Sequence, residues 1–203
     1  MEDILDHVPL DVTHDSLVQA LRTAQEDALV SFASMCLYKV VPLLEVRSGC
    51  PVEERVVQRM RSLEVDREFL PEILAALRDI LERPLDDSVS DELREPCSMA
   101  AEMVLRAFED GFQIKEWADW CSTIALDIHQ EFDALLYPGD GGAPIFHPAP
   151  EQPEPTPMEE LELRDQVTAL DLLRRGGGDD RLRSLNESGN SRVAVALSRH
   201  GTE

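Results

Sequence analysis

The passage from Leu17 to Leu44 limits this chain most. Its apolar positions Leu17, Leu21, Ala24, Ala28, Phe32 and Met35 recur at helical spacing, and a second set, Leu29, Ala33, Cys36, Leu37, Val40 and Leu44, widens the stripe. A helix that is apolar on two sides must bury both, so this one belongs deep inside a bundle. Thr13 or Asp15 can cap its start. Pro42 is expected to kink or end it, because proline lacks the N–H and clashes one turn back. Ser48-Gly49-Cys50-Pro51 then reads as a stop.

More helices follow at short intervals. Pro51 can open the second at its first position, with Val52, Val56, Met60 and Leu63 as its stripe. A third, about 67–82, uses Phe69, Ile73, Leu74, Leu77, Ile80 and Leu81, with Pro71 in its first turn. The fourth carries Leu93, Cys97, Ala100, Ala101, Val104, Leu105 and Phe108, has Pro96 in its first turn and stops at Asp110-Gly111. A fifth closes at Tyr137-Pro138. Seven prolines between Pro138 and Pro157 then make a stiff loop, which Ile145, Phe146 and His147 can pin to the body. The sixth helix, about 158–175, uses Met158, Leu161, Val167, Leu170, Leu172 and Leu173. Residues 176–203 are rich in Gly, Ser and Arg with few large apolar groups, which predicts disorder. The expected architecture is all-α. A single bundle of about six helices over residues 13–175 follows an irregular lead over 1–12, contains the Pro-rich loop 138–157 and precedes a disordered tail.

The fifth helix holds a cluster that invites a chemical reading: His129 among Asp127, Glu131 and Asp133. At about 100° per residue, Trp117, Cys121, Ile124, Ile128, Phe132 and Leu135 share one arc. Asp127 and Glu131 lie on one shoulder of that arc, and His129 and Asp133 on the other. One metal ion cannot reach all four without groups from another helix, and no HExxH or ExxH run offers them. His129 is therefore read as a boundary histidine bonded to the next turn. Asp127 and Glu131 are read as facing solvent or a partner.

Charge narrows the function classes. The formal net charge is −22, and residues 84–173 alone carry 21 acids against 4 bases. Such a field repels nucleic acid and anionic membranes and attracts basic partners. No phosphate-cradling glycine loop, nucleophile elbow or zinc spacing occurs, so neither cofactor nor metal is assigned and no catalytic residue is named. Cys36, Cys50, Cys97 and Cys121 are scattered, and no run looks long and apolar enough to span a membrane. The acidic start lacks the basic region of a secretory signal. A cytoplasmic protein with reduced thiols is expected.

Two passages, "ALVSFASMCLYKVVPLLEV" and "HPAPEQPEPTPMEELELRDQVTALDLLR", resemble the opening helix and the closing segment of the YjaG-like family of small all-helical bacterial proteins of unknown function. "REPCSMAAEMVLRAFED" and "WCSTIALDIHQEF" sit where its central helix pair would. The resemblance implies an all-α bundle and brings no catalytic residues; the long proline loop departs from it. The functional reading is an acidic binding protein, of the immunity type that neutralises a basic partner such as a toxin. The binding acids are placed around the fifth helix and its entry at Glu109, Asp110, Glu116, Asp119, Asp127 and Glu131, with Trp120 as an anchor. The alternatives are a carboxylate-rich metal-dependent enzyme and a regulatory or scaffold protein acting through its tail.

Overall fold

The computed structural model describes residues 12–63, 65–136 and 157–200. Within them lie eight α-helices and one short 3-10 turn, and no strand. They are α1 (His14–Thr23), α2 (Glu26–Ser48), α3 (Glu54–Ser62), α4 (Leu70–Leu81), α5 (Asp91–Leu105), α6 (Ile114–Leu136), α7 (Pro157–Arg175) and α8 (Asp179–His200), with the 3-10 turn at Arg106–Phe108. The all-α reading holds; the count of about six does not. The expected lead, most of the proline loop with Ile145, Phe146 and His147, and the last three residues lie outside the described residues.

One added helix comes from a break in the first. Thr13 and Ser16 form a reciprocal capping box that starts α1. Ala24 and Gln25 then turn extended, and Glu26 and Asp27 open α2 where acids complement the helix dipole. Two ordinary residues in extended conformation leave no mark in the sequence. The break lets α1 pack on α7 and α6 while α2 crosses the centre of the bundle, touching α3 through α8. By length and composition α2 could cross a membrane, yet most of it is buried against those helices.

Pro42 does not end α2, which runs on to Ser48 and stops at Gly49 with φ +62°. A proline inside a helix leaves the carbonyl four residues back without its N–H. Here that carbonyl belongs to Tyr38, and Asn190 of α8 donates to it at 2.7 Å. Two further prolines also sit off their expected places. α3 begins at Glu54, so Pro51 precedes it, and the Val52 N–H is taken by the Glu45 carboxylate at 2.9 Å. Pro96 is the sixth residue of α5, buried, rather than part of its first turn.

The second added helix replaces the expected disorder after residue 175. α8 buries Leu182, Val193, Ala196 and Leu197. Its other buried positions are Asn186, which donates to the Met60 carbonyl at 3.0 Å, and Gly189. A Cβ on Gly189 would fall 2.7–2.8 Å from the stem of Lys39, so glycine is what lets α8 lie against α2. Half of this face is small or polar, and composition therefore hides it.

Candidate functional site

Among the residues expected to bind, the structure gathers Glu109, Asp110 and Glu116 around one surface hollow at the α5–α6 connection, with Arg106, Phe112 and Gln113 in its wall. The connection is short because the 3-10 turn ends at Phe108 and Gly111 takes φ +83°, so the chain reverses at once into α6. Trp117 anchors the start of α6: it is fully buried, donates its Nε1–H to the Met103 carbonyl at 2.8 Å, and meets Phe112 at 5.8 Å between ring centroids. Asp119 is exposed further along α6. Trp120 is half-buried, with the Arg106 guanidinium 5.3 Å from its ring centre.

Charge here is only partly matched. Arg106 pairs with Glu109 at 2.6 Å. Glu102, Asp110, Glu116 and Asp119 make no ion pair within the described residues. Beside these acids Leu105, Phe108 and Phe112 are exposed. Asp127 and Glu131 are not part of this group. They lie about 16 and 22 Å from Glu116 along the α6 axis, at 1.5 Å per residue, and are half-buried. Burial, and after it the neighbouring Glu159, raises the carboxyl pKa of Asp127.

A second ionic group lies in the interior, where the sequence placed none. Lys39 of α2, only 1% exposed, donates from Nζ to Glu162 Oε1 of α7 at 2.7 Å, and Glu162 is 0% exposed. Gln166 donates to the same oxygen at 3.0 Å and accepts from Ser122 Oγ of α6 at 2.6 Å. Arg192 of α8 reaches Glu162 Oε2 at 3.1 Å and Asp165 at 2.7 Å. Burial would raise the Glu162 pKa, but the cations around it, Lys39 foremost, hold it down at about 2. α7 is thus turned from its expected face: Leu161 is 42% exposed, and Glu162 takes the inward position.

His129 is no boundary residue. It is 0% exposed, and its Nδ1 lies 2.6 Å from the Ala125 carbonyl, in the preceding turn rather than the next. Asp133 is buried too, and its Oδ2 accepts from the Met158 N–H at 2.7 Å, tying the start of α7 to α6. The expected side-chain pair is therefore two anchors to backbone. One signal for the interior group did exist: Lys39 is one of only two lysines in the chain and stands inside α2, a helix long and apolar enough to cross a membrane. Glu162 had no such mark among its many acidic neighbours.

Among the described residues, no three His, Cys, Asp or Glu side chains gather in a geometry that could hold a metal ion. The four cysteines are unpaired, and burial pushes the thiols of Cys36 and Cys97 up to about 12 and about 11. Comparison with models of known families, with characterised proteins and with solved structures finds no match to this chain.

Proposed function

We propose that the protein binds a cationic protein partner through the α5–α6 connection, in the manner of an immunity protein that masks a basic toxin. One observation carries this reading: Phe112, exposed, shares a hollow with Asp110 and Glu116, which have no ion pair among the described residues, while Leu105 and Phe108, the latter with Arg78 over its ring, are exposed on the same connection. Apolar anchors inside a charged rim are how protein interfaces concentrate binding energy. Unpaired acids steer a basic partner and set its orientation. Of the bases on α3, Arg55 and Arg61 are neutralised by Glu72 and Glu187, while Arg59, over Phe69, keeps its charge.

The test is a photo-cross-linker placed at Gln113, in the wall of the hollow, in the cells that make the protein. The expected product is a complex with a basic protein whose affinity falls steeply with salt. A variant carrying Asp110→Asn, Glu116→Gln and Asp119→Asn should bind that partner at least about tenfold more weakly, mostly through slower association. A partner that is not basic, or an affinity untouched by the variant, would overturn the reading.

A further inference from the structure

Two members of the interior ionic group have incomplete bonding, Arg192 at Nε and His129 at Nε2, and only His129 can change its charge there. With Nδ1 donating to the Ala125 carbonyl, the neutral His129 ring presents Nε2 as a bare lone pair. That atom has no hydrogen-bond partner among the described residues and faces Glu162 Oε2 at 3.8 Å. The same oxygen accepts from Arg192 of α8 at 3.1 Å. Glu162 therefore stands between a helix that can gain a proton and a helix it helps to hold, sharing Arg192 with Asp165 at 2.7 Å.

We propose that His129 works as a proton-operated latch on α8: protonation at Nε2 gives Glu162 Oε2 a competing donor on α6, sets a third cation beside Lys39 and Arg192, and releases α8 from the bundle.

The surroundings fix the direction. The ring feels Lys39 from α2, Glu162 from α7 and Arg192 from α8; behind these, the Cys36 thiol lies in the field of Lys39 and Glu162, and Asp165 pairs with Arg192. On α6 itself Asp133 and Asp127 lie within a turn. α5 turns an uncharged face inward, with Cys97 its titratable member, and α1 contributes His14, 3.6 Å from Glu159 of α7. Burial foremost holds the His129 pKa below its ordinary value; Glu162 pulls it back, while Arg192 and Lys39 push it further down. The neutral ring thus belongs to the closed state, and the latch opens below the ordinary histidine range.

α8 is the element that yields. Its buried face holds Leu182, Val193, Ala196 and Leu197 beside Asn186 and Gly189, half of it small or polar. α6 by contrast buries Trp117, Cys121, Ile124, Ile128 and Phe132. Polar bonds carry much of the attachment of α8, Arg192 to Glu162 and Asp165, Asn186 to the Met60 carbonyl and Asn190 to the Tyr38 carbonyl, and a unit so dependent on polar bonds can open ahead of the whole.

Hydrogen exchange on the full chain at about pH 7.5 and about pH 5, corrected for intrinsic rates, tests this. The α8 amides should lose about tenfold protection at the lower pH, while those of α2 and α6 change little. His129→Gln should hold α8 protection equal at both values, and His14→Gln should leave the pH response intact. The proposal is overturned if α8 and α2 lose protection together, if His129→Gln keeps the response, or if His14→Gln removes it. Should the glutamine variant fail to fold, an NMR titration of the unaltered protein decides. A shared midpoint for the His129 ring and the Val193 and Ala196 amides supports the latch, and separate midpoints refute it.

Discussion

Lys39 and Gly189 show how one side chain dictates another across helices. The ammonium of Lys39 is held by Glu162, so its stem cannot swing aside, and only a residue without a Cβ fits over it. Gly189→Ala should therefore lower the melting temperature, even though alanine gains about 1 kcal/mol of helix propensity over glycine. Alanine at Lys39 removes the nearest counter-ion of a fully buried carboxylate. Breaking such a pair costs about 3–5 kcal/mol, measurable by urea unfolding. Lys39→Met combined with Glu162→Gln should cost less than Lys39→Met alone, because no charge is stranded.

Between elements, α2 and α8 share a backbone defect and its repair. Pro42 deprives the Tyr38 carbonyl of its helical partner, and Asn190 supplies one from outside. Asn190→Ala should cost about 1–3 kcal/mol, the penalty of an unpaired buried polar group. Pro42→Ala restores an N–H to that carbonyl, so in its background the loss of Asn190 should cost measurably less. A double-mutant cycle by chemical denaturation reads the coupling directly.

Acidification should weaken the molecule in two separable stages, the docking of α8 first and the bundle after it. The His129 pKa is lowered in the folded state, so stability is full above the ordinary histidine value and falls as pH drops below it. The Glu162 pKa is lowered from 4.5 to about 2, so its contribution is present above the unfolded value and is lost as pH falls from there toward about 2. Urea midpoints followed from about pH 7.5 to about pH 3 should decline through the upper window at probes on α8 and through the lower one for the bundle as a whole. His129→Gln should flatten the upper one and leave the lower one.

Periodicity alone determined the helical class and several helices almost residue by residue. The stripes Val56 with Met60, Ile73 to Leu81, and Trp117 to Phe132 are buried where their spacing placed them, because burying an apolar arc needs no knowledge of the neighbour. The grouping of Glu109, Asp110 and Glu116 was legible for a simpler reason: they flank a turn that the sequence marks with glycine. Tertiary structure alone decided the fate of Pro42, the order of residues 179–200, and which acid of α7 turns inward. Each depended on a donor, a counter-ion or a gap provided by a helix more than a hundred residues away, as Asn190 provides for Tyr38 and Lys39 for Glu162. A local pattern records what a residue offers; whether a buried charge or an unpaired carbonyl is tolerable is set by what packs against it.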